Sequence, residues 1–280
     1  MAPILKIDNL AVHYKTRFGQ QVHAVKGVSF ELEQGKTFGI AGESGCGKST
    51  LVNGLMALFM PPLFYTHGSV IIDGEDITKF DKERLRINIL GKVISMIPQG
   101  ALNSLNPTRK VKDFATDVML NHHPEMNKKE IHELLRNRFA LIGLDPRVLN
   151  NYPVELSGGM KQRVVIGIST LMDPKVVIAD EPSSALDVST QKSVIKMLMD
   201  LMDKGIIGSM IFITHELPLL YHVADDIAVM YEGKFVEVGK TDQIIFRPQH
   251  PYSRELMDAI TKLSSEGERY DAKDKKGVVA

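Results

Sequence analysis

From its start the chain alternates apolar and polar positions. Residues 4–14 and 22–32 are rich in β-branched side chains and partly follow a period of two, which predicts antiparallel strands at a sheet edge. The pattern then becomes a short apolar run, Lys36-Thr37-Phe38-Gly39-Ile40-Ala41, followed by a glycine-rich turn and by helical spacing from Lys48 to about Phe59. A strand, a loop and a helix in that order begin a buried parallel sheet. Further short strands are expected at Ser69–Ile72, Val93–Ile97, Val176–Ala179, Met210–Thr214 and Ile227–Tyr231, with helices between most of them. This order predicts an α/β fold. From about Gln99 to Pro153 strand-like runs nearly vanish, while Val111–Leu120 and Lys128–Gly143 keep helical spacing. That stretch reads as an inserted helical subdomain. After Ser264 the chain is polar and charged and is expected to be frayed or disordered. No internal repeat stands out.

Composition narrows the picture. A chain of 280 residues is long enough for one large α/β domain with a core that needs no disulfide or metal. Its 34 basic and 34 acidic side chains cancel, so the overall basic field that would recommend nucleic acid as a partner is missing. The single cysteine, Cys46, excludes an intramolecular disulfide and a cysteine-based zinc or iron–sulfur centre within the chain, and fits a reducing compartment. Charges at Lys6 and Asp8 fall where an export signal would need its apolar run, so the protein is expected to stay inside the cell. The longest apolar stretch, Leu55 to Tyr65, is split by Pro61 and Pro62 and falls short of the ~20 residues that span a bilayer. For work at a membrane, other chains must do the spanning.

The candidate chemistry begins at Gly42-Glu43-Ser44-Gly45-Cys46-Gly47-Lys48-Ser49, which fits the phosphate-loop pattern G-x-x-x-x-G-K-[ST] between an expected strand and an expected helix. Glycines let backbone N–H groups face phosphate oxygens, and the helix start adds partial positive charge. Lys48 can neutralise β- and γ-phosphate oxygens, and the Ser49 hydroxyl can bind Mg²⁺. Gly42, Ser44, Gly45, Cys46, Gly47, Lys48, Ser49 and Thr50 are the expected nucleotide-binding residues of this loop. Cys46 reads as a small residue that fits, in preference to a redox group, and alkylation there should obstruct phosphate binding.

A second cluster lies at Val176-Val177-Ile178-Ala179-Asp180-Glu181, an apolar strand ending in two acids. Strand ends of such sheets point at the ligand crevice. Asp180 is expected to hold Mg²⁺, directly or through water, and Glu181 to polarise a water in line with the γ-phosphate. Guanine specificity would call for Asn-Lys-x-Asp. The nearest approach, Asn127-Lys128-Lys129-Glu130, ends in the wrong acid within a helical segment.

Leu156-Ser157-Gly158-Gly159-Met160, followed by Lys161-Gln162-Arg163, resembles the signature motif of the ABC ATPase family and lies between the two nucleotide motifs. Ser157 with two glycines at a helix start makes an anion site of hydroxyl, N–H groups and helix dipole, and Ser157 can also serve as the helix N-cap. The resemblance implies that Ser157, Gly158 and Gly159 face the γ-phosphate bound by a second ATPase subunit. It makes Gln99 the Q-loop glutamine, a catalytic residue and magnesium ligand. It also makes Ser184-Ala185-Leu186-Asp187 the D-loop, with Asp187 near nucleotide, and His215 the catalytic switch histidine. Tyr14 matches the aromatic that stacks on adenine. The implied fold is a P-loop NTPase (RecA-like) core with an antiparallel β subdomain and an inserted α-helical subdomain. Its expected parts are a core over about 1–98 and 162–240, a helical subdomain over about 99–161, a C-terminal helical segment over 241–264, and a polar tail over 265–280.

Gln99-Gly100-Ala101-Leu102-Asn103-Ser104-Leu105-Asn106-Pro107 and Pro248-Gln249-His250-Pro251-Tyr252-Ser253-Arg254-Glu255-Leu256 are similar to segments of the oligopeptide/dipeptide importer group, and Met160 matches one of that group's two non-identical ATPase subunits. The resemblance implies an ATP-hydrolysing motor at the cytoplasmic face of the cell membrane. Its implied partners are a second, homologous ATPase, two membrane permeases and an extracytoplasmic solute-binding protein, with no nucleic acid. Peptides lead as cargo and oligosaccharides follow. Permease helices are expected to dock near Gln99–Lys110 and the helices up to Arg138. No cysteine follows Tyr252, so the iron–sulfur cluster carried by many members of the group is not expected here. The alternative from another class is a soluble ABC ATPase acting in DNA repair or translation. Such proteins carry tandem ATPase domains or long coiled-coil insertions, and this chain has one motif set and a compact insert.

Overall fold

The computed structural model describes residues 2–100, 104–184 and 186–264. The polar tail 265–280, Ala101–Asn103 and Ala185 lie outside the described residues. The chain opens with β1 (Leu5–Lys15), β2 (Gln21–Leu32), β3 (Thr37–Ala41), α1 (Lys48–Leu55), β4 (Leu63–Ile72) and β5 (Glu75–Asp76). A short α2 (Lys82–Arg84) runs into a π turn and is followed by β6 (Ile94–Ile97), α3 (Val111–His122), α4 (Lys128–Leu141), α5 (Gly158–Ser169), β7 (Val176–Asp180) and α6 (Val188–Asp203). The last elements are β8 (Ser209–Ile213), α7 (Leu217–Val223), β9 (Asp226–Tyr231), β10 (Lys234–Lys240), α8 (Thr241–Phe246) and α9 (Pro251–Ser264). Two compact units result. One holds the residues up to Phe80 and those from Ser209 onward, the other Asp81–Gly208.

In the first unit an antiparallel sheet has the order β2-β1-β4-β5. β1 buries Leu5, Ile7 and Leu10 while Lys6, Asp8 and Asn9 stay exposed. The period of two slips at Asn9, whose φ is +49°, and the register with β2 and β4 shifts there. The parallel strands β3 and β8 have no exposed residue, as expected of strands covered on both faces. β3 lies between β8 and β9, parallel to both, and β10 is antiparallel to β9. Phe30 and Phe38 stack with centroids 4.4 Å apart and bind the antiparallel sheet to β3.

Three expectations change at this level. α1 ends at Leu55 instead of running to about Phe59, because Ala57 takes a left-handed conformation at φ +52°. The apolar residues after it feed β4, which starts at Leu63 instead of Ser69. β10 is a strand that the sequence pattern does not predict. Glu232 and Gly233, both at positive φ, make the two-residue turn that folds it back on β9.

In the second unit β6 and β7 pair in parallel. The expected helical stretch 99–161 lies within this unit, with α3, α4 and the start of α5. The near-match to a guanine motif is a helix cap. Asn127 Oδ1 accepts the N–H groups of Lys129 and Glu130, and Glu130 returns a carboxylate oxygen to the Asn127 N–H at 3.1 Å. The buried Arg138 guanidinium ties α4 to the end of α5 through Thr170 O and Asp173. Gly167 passes so close that a Cβ there would meet Ile142 Cδ1 at 2.7 Å.

Candidate functional site

The first constellation lies in the first unit, where β3 delivers the chain to the loop Gly42–Gly47 and α1 begins at Lys48. The Lys48 side chain doubles back into this loop. Its ammonium, on a residue only 7 % exposed, donates to Gly42 O at 2.7 Å and Glu43 O at 2.8 Å. A cation held by two carbonyls at a helix start is a positive point around which loop N–H groups can gather phosphate. Ser44, Gly45 and Ser49 are exposed, so the loop crest and the first hydroxyl of α1 face outward. Gly47, the N-cap of α1, has φ +115°, and a Cβ there would meet Ala24 O at 2.5 Å. No other residue fits this turn.

Tyr14 belongs to β1 and is half-buried, and its hydroxyl lies 3.2 Å from Thr50 Oγ1 in the first turn of α1. The expected adenine-stacking ring is thereby tied to the phosphate helix. His215 is exposed just past the end of β8, before α7. Cys46 is buried, and its carbonyl accepts the Gly233 N–H at 2.9 Å. Sequence reasoning missed one neighbour of this loop as a site residue: Tyr252, from α9, accepts the Glu43 N–H on its hydroxyl at 3.3 Å. The only sequence signal for it is its place in the segment 248–256, which resembles the importer group.

The second constellation lies in the second unit. Buried β7 ends at Asp180, 6 % exposed, and the next residue, Glu181, has φ +46°. That left-handed conformation costs a non-glycine residue about 1–2 kcal/mol. It is braced locally, since Ser184 donates both its N–H, at 3.1 Å, and its hydroxyl, at 2.9 Å, to Glu181 O. Gln99, two residues past β6, donates Nε2–H to Glu181 Oε2 at 3.0 Å. Two residues 82 positions apart are thus joined.

Ser157 and Asp187 are both helix N-caps. Ser157 Oγ accepts the Met160 N–H at 3.3 Å, and Gly158 is exposed beside it. Asp187 accepts the Thr190 N–H at 3.0 Å and its hydroxyl at 2.6 Å, and these bonds hold its carboxyl below the usual range. A Cβ on Gly159 would meet Thr190 Cγ2 at 3.1 Å, so the starts of α5 and α6 pack together. The expected signature and D-loop residues share one surface through that contact.

No group of three or more metal-ligating side chains of the histidine, cysteine or carboxylate type occurs among the described residues. Magnesium usually keeps several waters and takes one or two protein oxygens beside substrate phosphates. The Ser49 hydroxyl in the first unit, and the Asp180 carboxylate and Gln99 amide oxygen in the second, are each hard oxygens of the kind that ion prefers. No described helix is long and apolar enough to cross a membrane.

Comparison with known proteins agrees with this chemistry. The profile of the family described as ABC transporter matches residues 25–184. The oligopeptide transport ATP-binding protein OppD of Bacillus subtilis (strain 168) is 41% identical over 269 residues, which is 95% of this chain and 74% of that protein. The dipeptide transport ATP-binding protein DppF of Escherichia coli (strain K12) is 38% identical over 273 residues, covering 95% of this chain and 79% of that protein. Among solved structures, the dimeric post-hydrolysis state of the ATP-binding cassette MJ0796 bound to ADP and Pi superposes with a TM-score of 0.73 at 25% identity, over 85% of this chain and 98% of that one. With the phosphate loop, the strand-end acids and the signature helix all present in its sequence, the chain belongs to the ABC transporter family as an ATP-binding, ATP-hydrolysing subunit.

Proposed function

We propose that the chain is the motor subunit of a peptide importer and that Glu181 is its catalytic base. The observation that carries the catalytic part is the Gln99–Glu181 pair at 3.0 Å. A carboxylate at the end of a buried strand, in a conformation that costs energy to keep and aimed by an amide, has the marks of a group positioned for reaction. Lys48 binds and neutralises the β- and γ-phosphates together with the loop N–H groups. Tyr14 stacks on adenine, and Glu181 takes a proton from the attacking water while His215 orients that water against the γ-phosphate. Ser49, Asp180 and Gln99 would hold a magnesium ion, which when bound neutralises phosphate charge.

Ser157, Gly158 and Gly159 contribute an anion site to the γ-phosphate held by a second, homologous ATPase, with Asp187 at the same boundary. The motor is then a heterodimer that closes on ATP, and hydrolysis resets it. Two permeases receive the motion through the region from Gln99 to Arg138, and an extracytoplasmic solute-binding protein supplies the cargo. The chain works at the cytoplasmic face of the membrane. Peptide cargo is supported by the names of OppD and DppF, which are transport proteins, and these names give no support to a role in DNA repair or translation.

Glu181→Gln tests the mechanism. ATP binding should persist while steady-state hydrolysis by the assembled complex falls on the order of 10²- to 10⁴-fold, and undiminished turnover would overturn the assignment. Tagging the chain in its own cells and identifying what co-purifies from gently solubilised membranes tests the partners. Two permeases and a second ATPase are expected, and ribosomes or DNA-processing factors without permeases would refute the transport reading.

A further inference from the structure

The turn from α8 into α9 is organised by one carboxylate. Glu237, in β10, accepts the N–H of Gln249 at 2.8 Å and the N–H of His250 at 3.0 Å, one on each oxygen. The buried Ser253 hydroxyl lies near the same carboxylate and favours its charge, although the pair falls short of a full hydrogen bond. Burial alone would raise the Glu237 pKa, but these donors outweigh it and hold the group below the usual glutamate range. His250 then closes the start of α9. Its Nδ1 accepts the Tyr252 N–H at 3.2 Å and its carbonyl accepts the Arg254 N–H at 3.0 Å. The Arg254 side chain returns to Pro248 O, also at 3.0 Å.

Tyr252 projects from this fixed turn onto the phosphate loop. Its ring lies against Tyr231, with centroids 4.3 Å apart and planes at 38°, and its hydroxyl takes the Glu43 N–H. The other shoulder of the loop is tied to the same neighbourhood, because Gly233, in the β9–β10 turn, donates to Cys46 O. Glu43 and Cys46 are the first and fourth variable residues of the loop. Both shoulders are therefore anchored to the β9–β10 hairpin and the α9 turn packed on it. Burial raises the Tyr252 phenol above its ordinary value, so the hydroxyl stays neutral at physiological pH.

We propose that the His250-Pro251-Tyr252 turn is a latch for the phosphate loop, and that Tyr252 is a positioning residue for ATP binding. This rests on the reading of residues 42–49 as the phosphate site. A loop with three glycines loses much conformational freedom on closing around a ligand, and an anchor that fixes it beforehand lowers that cost. The anchor acts equally on ground state and transition state. Its loss should therefore raise KM for ATP and leave kcat unchanged.

The test uses the full chain, a fluorescent ATP analogue for affinity, and the rate of alkylation of Cys46, the only cysteine, as a report on loop opening. Tyr252→Phe keeps the ring and removes one hydrogen bond, so nucleotide affinity should fall about two- to tenfold and Cys46 should react faster without nucleotide. Glu237→Gln, which loosens the turn from the other side, should move both readouts in the same direction. In the assembled complex Tyr252→Phe should raise KM with kcat unchanged. Lys48→Ala serves as the control for the site itself, and wild-type affinity in that variant would overturn the phosphate-site reading. If Lys48→Ala loses nucleotide while Tyr252→Phe and Glu237→Gln bind and alkylate as the wild type does, the latch is refuted and the site stands. A lower Tm in Tyr252→Phe with unchanged affinity and alkylation would likewise reduce Tyr252 to a packing role.

Discussion

Two glycines of the phosphate loop differ in a way that a melting experiment can read. Gly47 has φ +115°, and a Cβ placed on it would sit 2.5 Å from Ala24 O, a backbone atom of β2 that has no free end to swing aside. Gly45 also has positive φ, +83°, but a Cβ there meets nothing within 4 Å. Alanine at Gly45 therefore bears only the conformational cost, about 1–2 kcal/mol. At Gly47 the same cost is joined by an overlap that α1 or β2 must move to relieve, about 1–3 kcal/mol more, so the sum is on the order of 2–5 kcal/mol. At roughly 2–4 °C per kcal/mol for a chain of this size, Gly47→Ala should lower Tm on the order of 10 °C and Gly45→Ala on the order of 3 °C. Thermal unfolding followed by circular dichroism measures both, and repeating each melt with ATP shows whether the loop still binds. ATP should raise the Tm of Gly45→Ala and fail to raise that of Gly47→Ala. Equal losses of Tm, or a larger loss at Gly45, would refute the steric reasoning.

Other outcomes follow from the packing and the charges. Arg138→Met should destabilise the protein by about 1–3 kcal/mol in urea unfolding, because Thr170 O loses its buried donor, whereas Asp173→Ala should cost under about 1 kcal/mol because that carboxylate is largely exposed. A loss at Asp173 as large as that at Arg138 would contradict this division. Glu237 has a depressed folded-state pKa, so its contribution to stability is complete above the ordinary glutamate value of about 4.3 and is lost as pH falls through its lower folded value. Melting temperatures of the wild type and Glu237→Gln should converge below that pH, and curves that stay parallel to pH 3 would disprove the role of that carboxylate.

The parts of the fold that were legible are those where one strong pattern acts alone. β3, β8 and β9 are apolar runs bounded by turn residues, and α3 and α4 carry helical spacing without competing signals. The stretch from Leu55 to Tyr65 was opaque because apolar residues of one helix end run directly into those of a strand, and the switch between them rests on the left-handed Ala57, a residue type that gives no warning. β10 escaped because Lys234-Phe235-Val236-Glu237-Val238-Gly239-Lys240 is short and little buried, and the turn before it has glutamate where asparagine or aspartate would be the clearer sign. Residue types in ordered motifs mark Lys48, Asp180, Glu181 and Ser157 as candidates from the sequence alone. Only folding could reveal that Gln99 reaches Glu181, since the two lie 82 positions apart. Tyr252 was hidden for the same reason, 209 positions from the Glu43 N–H it holds.

The left-handed backbone at Glu181 sets the local conformational preference against the role proposed for that residue. Glycine would occupy φ +46° without strain and asparagine with little, so replacing Glu181 by either should relieve local strain while removing the proposed base. In the proposed two-ATPase motor the same reasoning sorts the subunits by their backbone: where this corner is occupied by a residue that rests there comfortably, the proposed base is to be sought in the other chain.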